Sequence, residues 1–279
     1  MIPFLHLGPI TIPTYGLMVA TAMVFAYFLL RADFARRGIA KGSESNLAEL
    51  FIAVPCICGI VGARLYHVLE TPRLLLADPW GQLFSRYGLA WFGGLIAGAA
   101  AWVFLARRHH IPLLISLDAG SPAAALGYGI GRLGCFLSGD GDYGIPTRLH
   151  WPFGIAFPNG LVPTTQTCVA LGWPANCRVY PTPLLEFLIA VAISWFLWRL
   201  ARAQIANSAA PLPAGFIFGA YLILTGVVRF LVEFIRINPR SFMGMTNAQL
   251  ASLMSILAGA LFIWGIAHRP SASKYKTID

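Results

Sequence analysis

Seven apolar runs, near residues 13–30, 47–69, 88–106, 112–137, 182–199, 215–235 and 247–267, constrain this chain more than any other feature. Each approaches the roughly 20 residues that a helix needs to cross a bilayer. Inside lipid the backbone must satisfy its own hydrogen bonds, so such runs can only be helices. Charged residues make up 11% of the chain, against about 25% in a soluble domain. The expected architecture is an all-α polytopic membrane protein. It has seven transmembrane helices in a single membrane domain over residues 1–279.

Loop charges set the expected orientation. The segments after spans one, three and five and the C-terminal tail hold Arg31, Arg36, Arg37, Lys41, Arg107, Arg108, Arg199, Arg202, Arg269, Lys274 and Lys276. The other side holds Arg73, Arg86, Arg148, Arg178, Arg236 and Arg240. Positive residues favour the cytoplasm, which places the N-terminus outside, the C-terminus inside, and residues 138–180 in an external loop between spans four and five. That loop is rich in Pro, Gly and aromatics, as in Trp151-Pro-Phe-Gly154, and reads as ordered. The net charge of +9 is scattered and points to anionic lipid, not nucleic acid. Met1 to Thr14 carry no Lys or Arg, so no cleaved leader is expected. No internal repeat appears, which disfavours a transporter.

Three arginines fall inside spans: Arg64, Arg132 and Arg229. Each lies near the external end of its helix, where an arginine either snorkels to the interface or marks a site. Glu233 follows Arg229 at i+4 and Arg236 at i+7, on one helical face. Arg132 opens the stretch Gly131-Arg-Leu-Gly-Cys-Phe-Leu-Ser-Gly-Asp-Gly-Asp-Tyr-Gly144, a glycine-rich acidic loop at a helix end. Tyr15 sits at similar depth, as a site residue or as part of the aromatic belt. Among the cysteines, Cys56 and Cys58 read as small apolar side chains, without a second ligand pair for a metal. Cys168 and Cys177 share the external loop, where oxidising conditions allow a disulfide.

These residues resemble the prolipoprotein diacylglyceryl transferases of bacterial inner membranes. Gly131-Arg-Leu-Gly-Cys-Phe-Leu-Ser-Gly-Asp…Gly144 is similar to the family signature Gly-Arg-x-Gly-Asn-Phe-x-Asn-Gly-Glu…Gly. Thr14-Tyr-Gly-Leu17, Gly62-Ala-Arg64, Trp91-Phe-Gly-Gly94, Pro181-Thr-Pro-Leu-Leu-Glu186, Arg229 to Arg236, and Met245 to Leu250 resemble further family segments in order. The resemblance implies a multi-pass protein of the bacterial inner membrane. It implies transfer of diacylglyceryl from phosphatidylglycerol to the lipobox cysteine of a preprolipoprotein signal peptide, releasing glycerol phosphate. No metal or other cofactor is implied. It implies Arg132, Arg229 and Tyr15 as catalytic residues. Arg64, Gly131, Gly134, Cys135, Ser138, Gly139, Asp140, Gly144 and Glu233 are implied as substrate-binding. Arg132 and Arg229 would hold the phosphate, with Glu233 fixing an arginine rotamer.

Phe92 stands where the family has histidine, and Cys135, Ser138, Asp140 and Tyr180 replace asparagine, asparagine, glutamate and histidine. Two kinds of function follow. One is the transferase; the other is a non-catalytic or re-purposed phospholipid-binding membrane protein that keeps the fold.

Overall fold

A computed structural model describes residues 1–39, 46–72, 78–84, 90–206, 212–241 and 243–268. Lys41, Arg73, Arg86, Arg269, Lys274 and Lys276, which enter the loop-charge count, lie outside the described residues. A hairpin of β1 (Phe4–Leu7) and β2 (Ile10–Pro13) leads directly into α1 (Thr14–Arg36). Next come α2 (Leu47–Glu70), the short α3 (Pro79–Phe84), α4 (Trp91–Arg108) and α5 (Leu113–Ser138). The loop after α5 contains β3 (Pro146–Thr147), α6 (Thr164–Ala170) and β4 (Arg178–Val179). The chain ends with α7 (Thr182–Ala206), α8 (Phe216–Val232) continued by a 3₁₀ turn at Glu233–Ile235, and α9 (Asn247–Ala267).

Each of the seven apolar runs forms a helix. Among the described residues, six helices are long and apolar enough to cross a membrane: α1, α2, α5, α7, α8 with its 3₁₀ turn, and α9. The remaining one, α4, has 18 residues and ends on Arg107 and Arg108. Two helices run past their expected ends. α1 continues to Arg36 and α7 to Ala206, so Arg31, Arg36, Arg199 and Arg202 are helical rather than in loops. At the end of α1 the reason is an acid the charge count ignored. Asp33 is fully buried and pairs with Arg36 at 2.6 Å and with Arg37.

The chain forms two compact units. One comprises Leu30–Ser116. There α2 and α4 approach backbone to backbone, because a Cβ on Gly93 would lie 2.3 Å from the Gly62 carbonyl oxygen. Two of the family-like motifs, Gly62-Ala-Arg64 and Trp91-Phe-Gly-Gly94, are therefore a helix-packing pair. Arg64 is buried in α2. Phe92 is exposed in the first turn of α4, in edge contact with Trp91.

The other unit comprises Met1–Leu29 and Leu117–Asp279. Its loop has a small core of its own, built from Tyr143, Phe157, Cys168, Cys177 and Val179. Tyr143 stacks on Phe157 with ring centroids 5.2 Å apart, and a Cys168–Cys177 disulfide closes the core. At the opposite end, Asp118 of α5 is fully buried and caps α8 from outside that helix. Its carboxylate accepts from Gly215 N at 2.7 Å, Phe218 N at 2.9 Å and Gln204 Nε2 at 3.0 Å. These are the orphan donors of a helix N-terminus, whose dipole also favours an anion. Asp118→Ala is expected to strand buried donors worth about 1–3 kcal/mol each. A large fall in thermal midpoint in detergent, against little change for Asn159→Ala in the exposed loop, would check this.

Candidate active site

Three helices carry the charged residues of the site, and close packing brings them together. Gly129 of α5 lets α7 approach, since a Cβ there would meet the Ala190 Cβ at 2.9 Å. The Ser194 hydroxyl of α7 donates to the Pro122 carbonyl at 2.8 Å, a carbonyl in a helix that proline interrupts. This docking sets Tyr128 and Arg132, one turn apart on α5, against Glu186 near the start of α7. Glu186 is 1% exposed.

Glu186 is the shared anion. Its Oε2 lies 3.1 Å from Arg132 Nε and 3.5 Å from Arg236 Nη1, and its Oε1 lies 3.6 Å from Arg229 Nη1. The Tyr128 hydroxyl donates to Glu186 Oε1 at 2.8 Å and accepts from Arg132 Nε at 3.0 Å. Glu233 pairs with Arg229 at 2.6 Å, and accepts from Asn238 Nδ2 on its other oxygen. Asp142 joins from the loop, binding Arg132 Nη1 and, at 2.6 Å, Arg236 Nη2. Three guanidinium groups thus meet three carboxylates, which offsets the cost of charge at a membrane depth.

The pairing is incomplete in one informative way. Arg229 is held through Nη1 only, and Arg132 through Nε and Nη1. Arg132 Nη2 and Arg229 Nε and Nη2 have no protein partner among the described residues. The two guanidiniums are therefore fixed by a common carboxylate while each keeps donors for a further anion.

The glycine-rich loop is sewn to these helix ends. Gly139 adopts φ +62°, and a Cβ there would meet the Gly160 Cα at 2.7 Å. Val162 N donates to the Gly139 carbonyl at 2.8 Å, and Leu161 N to that of Ser138 at 3.0 Å. Gly144 forms an isolated bridge with Arg236 and donates to the Tyr180 carbonyl at 2.8 Å. The Thr182 hydroxyl donates to the Asp142 carbonyl at 2.8 Å.

Several expected site residues have structural duties here. Gly134 faces α1, with Met18 Cβ at 3.0 Å and Tyr15 Cδ2 at 3.3 Å from a Cβ placed on it, so the approach of α1 leaves little room for a side chain there. A Cβ on Gly131 would meet nothing within 4 Å, so the protein's own packing does not require glycine there. The Ser138 hydroxyl is fully buried and turned back to the Cys135 carbonyl at 3.2 Å. Cys135 is buried, 3.8 Å from Arg132 Nη1. Arg64 belongs to the other compact unit. Glu186, Tyr128, Arg236 and Asp142 were not among the expected site residues. Arg236 had been counted as a loop charge, yet its side chain is 5% exposed.

Ligand atoms of Cys135, Asp140 and Asp142 lie within 4.8 Å of one another. A cation there would have to displace both guanidiniums from Asp142, so the donor set does not suit one. The two acids differ in their titration. Burial pushes the Asp140 carboxyl up. Burial also works against ionised Asp142, but Arg236 and Arg132 outweigh it and hold that carboxyl below the usual range. A lowered folded value stabilises the fold above the unfolded value, and the contribution is lost as pH falls through the folded value. Asp140 has the opposite sign and opposes stability as pH rises through its folded value. Asp142→Asn should therefore lower the thermal midpoint at pH 7 and flatten its fall below about pH 4. Asp140→Asn should leave that acid-side fall in place.

A family model described as prolipoprotein diacylglyceryl transferase matches residues 3–265. The chain is 30% identical over 254 residues to a phosphatidylglycerol–prolipoprotein diacylglyceryl transferase of Clostridium tetani, covering 90% of this chain and 92% of that one. It is 30% identical over 276 residues to the protein of that name in Geobacter sulfurreducens, covering 98% and 95%. To that of Paenarthrobacter aurescens it is 31% identical over 268 residues, covering 92% and 80%. With the match running through the hairpin, the arginine-bearing helices and the loop between them, the chain belongs to the prolipoprotein diacylglyceryl transferase family.

Proposed function

We propose that this chain transfers the diacylglyceryl group of phosphatidylglycerol to the cysteine thiol of preprolipoproteins, forming a thioether and releasing glycerol phosphate. The observation that carries the proposal is the pair of guanidiniums, Arg132 and Arg229, both paired with Glu186 while keeping donors that no described residue engages. A phosphodiester offers anionic oxygens to such donors. When the carbon–oxygen bond breaks, the leaving phosphate gains charge, and preorganised donors stabilise that gain. A low dielectric strengthens them.

The acceptor sulfur attacks the glycerol carbon, its S–H proton passes to the leaving phosphate, and the carbon–oxygen electron pair stays with that phosphate. Atoms and charge balance without a further base, which suits a chain with Phe92 in place of histidine. Arg132 and Arg229 grip the phosphate, and Glu233 and Tyr128 hold the guanidinium orientations. Tyr15, Cys135 and Asp140 line the same end of α5, and Gly131 leaves room beside it. Ser138, Gly139 and Gly144 shape the loop.

The same reading places the chain in a bacterial inner membrane with seven spans, α4 being one of them. The N-terminus is outside, the C-terminus cytoplasmic, and residues 138–180 periplasmic. A periplasm-active reporter inserted near Asn159 should be active, and one fused after Lys276 silent; the reverse would overturn the orientation. Complementation tests the activity. A strain depleted of its own diacylglyceryl transferase should regain growth and lipoprotein modification with this chain, and not with its Arg132→Ala form. Expressed, membrane-inserted protein that binds phosphatidylglycerol but fails to complement would favour a re-purposed phospholipid-binding protein.

A further inference from the structure

The hairpin at the start of the chain is apolar, uncharged and tied to the site, and its two edges are unlike. The two-residue turn at Gly8 and Pro9 makes Leu7↔Ile10 a hydrogen-bonded pair. The bond from Thr14 N to the Pro3 carbonyl, 2.9 Å, sets the same phase from the other end. Leu5↔Ile12 is then bonded as well, while Phe4↔Pro13 and His6↔Thr11 are the non-bonded pairs. In such pairs the N–H and C=O groups point out of the ladder. The β1 edge therefore presents the N–H groups of Phe4 and His6, two residues apart. Neither has a hydrogen-bond partner among the described residues. On the β2 edge Pro9 and Pro13 have no N–H to offer, and only Thr11 can donate. One edge is blunted and the other is open.

The open edge leads to the chemistry. Ile2 N donates to the Leu137 carbonyl at 3.1 Å, and the Thr14 hydroxyl to the Ile2 carbonyl. β1 thus starts against the last turn of α5, two residues beyond Cys135 and five beyond Arg132. Tyr15, immediately after β2, packs on Gly134. Met1 to Thr14 contain no charged residue, and Phe4, Leu7 and Ile10 are exposed.

We infer that the outer edge of β1 receives the acceptor polypeptide as an added strand, pairing with the apolar, uncharged segment around its cysteine. Strand addition holds a peptide extended through main-chain bonds, which suits an acceptor that must present a thiol beside Arg132. A charge-free edge suits a charge-free segment. The inference rests on the transferase reading, and the two can fail separately.

The test exploits the edge asymmetry. His6 and Thr11 face one another, and their side chains share a hydrogen bond of 3.1 Å. His6→Pro and Thr11→Pro both remove that bond, and each removes one outward N–H without touching the ladder. The probe is a synthetic preprolipoprotein signal peptide with serine in place of its acceptor cysteine, titrated into protein in phosphatidylglycerol nanodiscs. His6→Pro should bind it roughly tenfold more weakly, the loss of about one hydrogen bond. Thr11→Pro should match the wild type, and all forms should bind phosphatidylglycerol alike. If His6→Pro does not fold, Phe4→Pro removes the other outward donor and gives the same comparison. Equal affinity in all forms, or equal loss at both edges, would overturn strand addition. Should the serine peptide show the asymmetry while the cysteine peptide yields no glycerol phosphate, the docking edge stands and the transferase reading falls. Turnover with a KM that His6→Pro leaves unchanged would do the reverse.

Discussion

Arg132→Ala in otherwise intact protein is expected to lose at least about 10²–10³ in turnover, the usual effect of removing one donor to a developing oxyanion. The loss should exceed that of a simple contact, because Arg132 also organises its surroundings. It engages Tyr128 and Glu186 through Nε and Asp142 through Nη1, and Nη2 remains for the substrate. Alanine would remove the phosphate donor and leave Glu186 and Asp142 with one guanidinium fewer. Arg132→Lys should not restore activity, since one ammonium cannot span these three partners and a phosphate in a planar fork. Glycerol phosphate release per mole of protein, alongside a thermal midpoint, separates lost chemistry from lost fold. Turnover within about threefold of wild type in Arg132→Ala would remove the residue from the phosphate site.

Glu186→Ala should be the most damaging single substitution to stability and activity together. It leaves Arg132, Arg229 and Arg236 with one anion fewer in a buried setting. Breaking a buried pair by removing one partner costs about 3–5 kcal/mol, because the surviving charge is left uncompensated. Glu186→Gln preserves shape and the hydrogen bond from Tyr128, so it should fold better than the alanine form. It still lacks the charge that fixes both phosphate-binding guanidiniums, and turnover should stay low. Thermal unfolding in detergent and release kinetics on both variants check this. A glutamine form as active as wild type would show that charge at 186 does not set the arginine geometry.

Length and apolar composition alone made the helices legible, because long apolar runs in lipid must satisfy their own backbone hydrogen bonds. Loop composition likewise announced an ordered segment, and its two cysteines are bonded in the structure. Arg132 and Arg229 could be found because arginine within an apolar run is conspicuous. Their counter-charges were harder to see. Glu186 is a single acid near the end of a predicted span, where a carboxylate looks like a boundary marker. A charge balance over the spans would have pointed to it, since intramembrane arginines require anions. Arg236 looked like a loop charge because it follows the helix end. The 3₁₀ turn at Glu233–Ile235 and the bridge from Arg236 to Gly144 fold it back inward. That return depends on pairing between segments about ninety residues apart, which no local pattern encodes. Gly134 shows a duty that its place in a signature did not reveal, since its lack of a side chain serves the packing of α1 against α5.

The most direct measurement supplies phosphatidylglycerol labelled in its terminal glycerol, with a preprolipoprotein signal peptide, to purified protein in nanodiscs. Labelled glycerol phosphate should appear in step with peptide gaining a diacylglyceryl thioether, and Arg132→Ala should release neither. Tight binding of the lipid with no release from the wild type, or release that Arg132→Ala leaves unchanged, would contradict the assignment of this arginine cluster to diacylglyceryl transfer.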